Sequence, residues 1–243
     1  MRYIATDDIK KNITATDALV VMQDLFHNYM DAPGRMRRQM YKLDNGLGLT
    51  LFMPACNNEK RILGIKISSI RPNNTAHKIV NGTYILIDYI TGLHLATIES
   101  NCITELRTAA VSALVTQHVV AKTPHSLGII GAGVQAFAHI EALCQSISIN
   151  KISIYSRTYS NSQQLINKVQ QNSWSPQNIH AAQSINEILQ NSSIVCTCTS
   201  TTSANPLFTA KELPANVKHI NAIGGATQEA IEVDPLIYAK SLT

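Results

Sequence analysis

Apolar positions follow two different rhythms along this chain. From Ala15 to Tyr29 they return at helical spacing behind a Thr and an Asp, so the stretch predicts an early helix. Gly48–Met53, Leu63–Ile70 and Gly82–Asp88 are short runs rich in β-forming residues and predict strands. Residues 88–92 (DYITG) read as a turn, and LHLATIE returns as a further strand. Thr104 stands where it would cap the following helix, whose Ala/Val/Leu run reaches Val120 and reads as buried. This part predicts an α+β domain with a substantially antiparallel sheet.

The rhythm changes near Lys122–Ser126. LGIIG is a short β-rich run, and Val134–Ile147 has a helical pattern. Strand patterns follow at Lys151–Tyr155, Ile179–Ala182, Ser193–Ser200 and His219–Ile223, with helical patterns at Asn161–Gln171 and Ile185–Gln190. Strands separated by helical stretches predict βαβ units and a parallel sheet. The expected division is residues 1–122 and 123–243, with no internal repeat and no low-complexity segment.

Composition narrows the function classes. Of 243 residues 45% are hydrophobic, enough for a sizeable core, and the net charge is only +4. The one basic cluster, Arg35, Arg37 and Arg38, is short and lacks interleaved aromatics, so no nucleic-acid partner is expected. A basic balance suits small anionic ligands. MRYIATDDIKK has no apolar run behind its charges and is not read as a signal peptide. No stretch approaches the roughly 20 apolar residues of a membrane span. The five cysteines include no CxxC pair, and Cys196 and Cys198, on one strand face, have poor metal spacing. The expectation is a cytoplasmic protein with reduced thiols, no metal and no membrane association.

Gly131, Gly133 and Ala136 fit the pattern G-x-G-x-x-G/A, with Val134 and Gln135 between them at the start of a helix. A strand precedes and a second strand follows, which is the context a dinucleotide seat requires. The first glycine permits a tight turn, the second lets the backbone approach a pyrophosphate, and the small third residue lets helix and strand pack. The alternative is a purely structural strand–helix turn. At the end of the second strand stand Ser156, Arg157 and Thr158, with no acidic residue from Lys151 to Lys168. An NAD site usually carries an acid there for the ribose 2′-hydroxyl. An arginine fork matches a 2′-phosphate instead, so NADP(H) is favoured over NAD(H), against the alternative of a solvated loop arginine.

LRTAAVSALVTQ (Leu106–Gln117) before GIIGAGVQA, with GIK (Gly64–Lys66) upstream and HINAIGG (His219–Gly225) downstream, resembles the ornithine cyclodeaminase/mu-crystallin family. The resemblance covers essentially the whole chain. It implies an α/β protein: a substrate-binding and dimerisation domain, then a Rossmann domain for NAD(H) or NADP(H), assembled as a homodimer. Family members include cyclodeaminases, cyclic imino-acid reductases and amino-acid dehydrogenases. Residue by residue, the resemblance implies Lys66 as the catalytic and substrate-binding lysine. It implies Arg38 and Arg107 as substrate arginines, and Thr108 as directed toward the cofactor phosphates. A rival alignment uses Arg35 in place of Arg38. The residue types suit an imino or amino acid, because arginine forks match its carboxylate and a lysine can exchange a proton at its nitrogen. Taken without the resemblance, Arg38 reads as a solvated basic residue, Arg107 as a salt-bridge former and Lys66 as a strand-edge gatekeeper.

Two departures from the family pattern matter. Cyclodeaminases carry an aspartate after the paired glycines of HINAIGG, where this chain has Ala226. A methyl group neither accepts a proton nor holds an ammonium, which points to simple C=N reduction. Glu229 and Glu232 lie close in sequence as candidates to compensate, but the resemblance matches Glu232 to the family's acid in the following turn, and it is not assigned catalysis. The family also continues past Thr243, so a C-terminally incomplete second domain is expected. The resulting expectation is an NAD(P)H-dependent reductase of a small cyclic imino acid. The alternatives are an ornithine cyclodeaminase and a non-catalytic nucleotide-binding protein.

Overall fold

The computed structural model describes residues 1–28, 36–201, 203–225 and 230–241. The chain divides into two compact units: Met1–Thr14 with Asp24–Glu105, and Ala15–Gln23 with Leu106–Thr243. Two helices, α2 (Ala15–Asn28) and α3 (Ser100–Val119), carry the chain from one unit to the other.

The first unit opens with β1 (Arg2–Ile4) and α1 (Thr6–Asn12). It continues with β2 (Gln39–Leu43), β3 (Gly48–Asn57), β4 (Ile62–Ile70), β5 (Val80–Asp88) and β6 (His94–Glu99). The sheet order is β1-β6-β5-β4-β3-β2. Strands β2 to β6 form an antiparallel meander, and β1 alone pairs parallel, along β6. The expected DYITG turn joins β5 to β6. Asp88 Oδ1 accepts from the backbone of Ile90 and Thr91 at 3.0 and 2.7 Å, and Gly92 takes the positive φ (+70°) that closes the turn.

Helix α3 corrects one expectation. It begins at Ser100, directly after β6, so Thr104 lies one turn inside the helix and caps nothing. Its hydroxyl instead donates to the Ser100 carbonyl at 2.7 Å.

The second unit alternates as expected: β7 (His125–Ile130), α4 (Val134–Ser146), β8 (Ile149–Tyr155), α5 (Tyr159–Gln170), β9 (Asn178–Ala181), α6 (Ile185–Asn191), β10 (Ile194–Thr197), β11 (His219–Ala222) and α7 (Pro235–Ser241). Every strand pair is parallel and the order is β11-β10-β7-β8-β9. The chain winds outward from β7 in one direction to β9, then returns and winds the other way through β10. The order therefore reverses between β7 and β10, and such a reversal opens a ligand crevice at the carboxyl ends of the strands.

Both faces of this sheet are covered, as a parallel sheet requires. On one side Leu127, Ile129, Ile152, Ile154 and Ile194 pack in one buried cluster with Ile140 and Leu143 of α4 and Ala109 and Ala113 of α3. On the other, Ile130 and Val195 pack with Ile188 and Leu189 of α6 and with Phe208 and Val233. Strand β10 is shorter than the expected 193–200. Cys198 still donates to Ile130 O at 2.7 Å, but the next residue, Thr199, turns its N–H away from the ladder to Glu232.

Candidate functional site

The glycine turn sits where β7 meets the crevice. Gly131 N–H donates to Tyr155 O at 2.8 Å, tying the turn to the end of β8. Its φ of +114° suits glycine alone, and a Cβ there would collide with the Cys198 carbonyl of the β10 end. Gly133 is different. It is the N-cap of α4 at φ −88°, a conformation open to any residue, and nothing lies within 4 Å of where its Cβ would be. Glycine here keeps clear the space in front of the helix. Ala136 is fully buried, so α4 starts close against the sheet.

The first turn of α4 has no acidic residue and no side-chain cap, which leaves the positive end of the helix to a ligand. Gln135 Oε1 is buried without a hydrogen-bond partner among the described residues. An open cradle and an uncapped helix start together fit a dinucleotide phosphate.

Ser156, Arg157 and Thr158 lie on the neighbouring strand end. Ile130 pairs with Tyr155, so this loop leaves β8 beside the glycine turn and at the same edge of the sheet. Ser156 is half-buried, and Arg157 and Thr158 are exposed. Thr158 is the N-cap of α5 without a side-chain cap bond.

In the first unit the residue of interest is Lys66. It sits on β4, which is flanked by β3 and β5, and it is only 9% exposed. A gatekeeper belongs on an edge strand, so that reading is overturned. Its Nζ donates to Thr104 Oγ1 at 2.6 Å and lies 5.6 Å from the ring centre of Tyr84, its cross-strand neighbour. Arg38 is exposed and directly precedes β2, whose first pair is Gln39 with Phe52.

In the second unit Arg107 is exposed on α3 and Thr108 is half-buried. Arg35, Ala226 and Glu229 lie outside the described residues.

Three further polar residues were not read as site residues from the sequence. Thr104 and Tyr84 contact Lys66, and Thr199 shares a buried cluster with Glu232. The nearby thiols are not reactive groups. Burial pushes Cys196 up to about 12 and Cys198 well above its ordinary range, with Cys196 and Glu232 adding to the latter shift. Among the described residues no group of three or more His, Cys, Asp or Glu side chains is placed to hold a metal ion. No described helix is long and apolar enough to cross a membrane.

Comparison with known proteins gives a consistent answer. A Δ1-pyrroline-2-carboxylate reductase of Bacillus cereus is 32% identical over 182 residues, which is 74% of this chain and 54% of the relative. The match thus spans about half the length of that relative. The ketimine reductase mu-crystallin of Rattus norvegicus is 24% identical over 239 residues, 96% of this chain and 74% of its own. The solved Δ1-pyrroline-2-carboxylate reductase of Thermococcus litoralis, in complex with NADH and L-proline, superposes with a TM-score of 0.87 at 26% identity. That superposition covers 96% of this chain and 72% of the other. The model of the ornithine cyclodeaminase/mu-crystallin family matches residues 5–242, and the chain belongs to that family.

Proposed function

We propose that this chain acts as an NAD(P)H-dependent reductase of a small cyclic imino acid of the pyrroline- or piperideine-2-carboxylate type. The observation that carries the reading is the glycine turn. Gly131 closes against β10, and Gly133 leaves an open cradle at the start of α4, at the strand-order reversal where doubly wound sheets bind dinucleotides. The similarity to pyrroline-2-carboxylate reductases supplies the substrate class.

Gly131, Gly133, Val134, Gln135 and Ala136 hold the pyrophosphate, with Thr108 directed toward it. Ser156, Arg157 and Thr158 hold the 2′-phosphate of NADP(H), which this reading prefers to NAD(H). When bound, the nicotinamide supplies a hydride to the imine carbon. Arg38 and Arg107 grip the substrate carboxylate, and Lys66 holds the proton that goes to the nitrogen as C=N becomes CH–NH. Ala226 in place of the cyclodeaminase aspartate favours reduction over deamination.

The assembly proposed is a homodimer in the cytoplasm. Its supports are the exposed Met40 and Tyr41 on the edge strand β2, which invite a partner, and the five free thiols.

The test follows NADPH absorbance in the purified protein with Δ1-pyrroline-2-carboxylate and Δ1-piperideine-2-carboxylate. Substrate-dependent oxidation of NADPH is expected. Ammonia release from ornithine without net nucleotide consumption would replace the reading with a cyclodeaminase. Saturable nucleotide binding without turnover on any imino acid would replace it with a binding protein.

A further inference from the structure

Glu232 is only 3% exposed, and among the described residues it makes no ion pair. Its carboxylate is nonetheless fully occupied. Oε2 accepts from Thr197 Oγ1 and from Gly224 N–H, both at 2.7 Å. Oε1 accepts from Thr199 N–H at 2.7 Å and from Thr199 Oγ1. All four partners are donors. A carboxylate is acceptor-only, whereas an amide would turn its NH2 group onto one of the two backbone N–H groups, Thr199 or Gly224, since the threonine hydroxyls alone can reverse to accept. The donors of the pocket therefore suit a glutamate side chain better than its amide isostere.

The four donors come from two strand ends. Thr197 closes β10 and Thr199 follows it, while Gly224 follows β11. Gly224 has to be glycine for the carboxylate to enter, since a Cβ there would overlap Glu232 Oε1 and the Thr199 carbonyl. The peptide that Glu232 grips at Thr199 N–H is the peptide whose other face meets Gly131. A Cβ on Gly131 would overlap Cys198 O and lie 3.3 Å from Thr199 N. One link thus separates Glu232 from the glycine turn.

We propose that Glu232 is a positioning residue of the nucleotide seat. Its carboxylate locks the ends of β10 and β11 so that the Cys198–Thr199 peptide forms the wall against which the Gly131 turn closes. The proposal rests on reading that turn as a nucleotide seat. It adds a geometric consequence. In the order β10-β7-β8, the wall stands on the opposite side of β7 from the Ser156–Thr158 loop. Glu232 acts on the pyrophosphate and nicotinamide side and leaves the adenosine side alone.

The experiment compares binding of NADPH with binding of adenosine 2′,5′-bisphosphate, an adenine-side fragment, in wild type, Glu232→Gln and Thr199→Val. NADPH fluorescence reports the dinucleotide, and calorimetry reports the fragment. Glu232→Gln should weaken NADPH on the order of tenfold or more, from lost charge-assisted hydrogen bonds, with fragment affinity unchanged. Thr199→Val, which removes the hydroxyl bond to Glu232 and a long 3.4 Å contact from Thr201 N–H while keeping the Thr199 N–H bond, should give a smaller loss in the same direction. It carries the test if Glu232→Gln does not fold. Equal weakening of both ligands, or of neither, overturns the positioning role. A wild type that binds neither ligand overturns the seat itself, and Glu232 with it.

Discussion

Lys66 Nζ lies 2.6 Å from Thr104 Oγ1, and that hydroxyl donates its only proton to the Ser100 carbonyl at 2.7 Å. With the proton committed, the hydroxyl meets the ammonium as an acceptor. Lys66 is thereby fixed as the donor in this bond, and its remaining N–H groups are oriented. The ring of Tyr84 flanks the same ammonium at cation–π range. A lysine held on β4 in this way keeps a defined direction, whereas a solvated lysine samples many rotamers.

Thr104→Val keeps the shape and removes the acceptor. In the reductase assay it should lower kcat on the order of tenfold, because one hydrogen bond to a charged group is lost. Thr104→Ser should restore most of the rate, since the hydroxyl alone is needed. Steady-state kinetics with Δ1-pyrroline-2-carboxylate read the difference. A Val variant with wild-type kcat would show that the Thr104 contact does not set the working geometry of Lys66.

Arg157 leaves the end of β8 beside the glycine turn, without an acidic residue from Lys151 to Lys168. Arg157→Ala should raise the Kd for NADPH roughly 10- to 100-fold, the range for losing charge-assisted bonds to a phosphate. NADH, which has no 2′-phosphate, should lose little. Fluorescence titration with both nucleotides separates the cases, and parallel losses would reassign Arg157 to general electrostatics.

The two glycines of the turn should fail in different ways. Gly131→Ala forces a side chain into the Cys198 carbonyl at a φ of +114°, so it should depress Tm or abolish folding. Gly133→Ala meets no protein atom within 4 Å and has an ordinary φ, so Tm should hold while nucleotide affinity falls. Thermal melts and NADPH titrations on the same two variants decide it. Undiminished affinity in Gly133→Ala would remove the cradle from the nucleotide site.

Much of the second unit was legible because its signals are local. The apolar runs of β7 and β8, the intervening helix and the glycines all lie within 31 consecutive residues from His125 to Tyr155. The first unit was less legible where pairing is remote. β1 is three residues long and lies along β6, so nothing in its own sequence marks it as a strand. Thr104 looked like a cap because hydroxyls favour caps, but the backbone carbonyl it serves is one helical turn behind it. Lys66 was recognisable by its short motif, whereas Tyr84 reaches it through strand register that no local pattern displays. Glu232 was visible as an acid, yet its partners Thr197 and Thr199 are 35 and 33 residues away. Burial and long-range hydrogen bonding, not residue type, mark it out.

His139, on the helix that opens at Gly133, gives a prediction in pH. Its imidazole is fully buried, with Nδ1 donating to Gln135 O at 2.7 Å and Nε2 accepting from Ser112 Oγ at 3.0 Å. Burial lowers its pKa below the ordinary 6.5, outweighing the Gln135 bond that raises it. The unfolded chain therefore takes up a proton near pH 6.5 that the native state refuses. Stability should fall as pH drops below 6.5 and continue to fall until the folded imidazole itself titrates. The slope from this group is at most about 1.4 kcal/mol per pH unit. His219, also lowered by burial, adds in the same sense. Glu141, raised by burial, opposes them, but only as pH approaches the carboxylate range. Urea unfolding of wild type at pH 7.5, 6.5 and 5.5 should show the decline, and His139→Gln should flatten it at the expense of overall stability. A wild-type profile that is level between pH 6.5 and 5.5 would mean that the folded imidazole accepts its proton, with the Ser112 hydroxyl reversing to receive the new N–H.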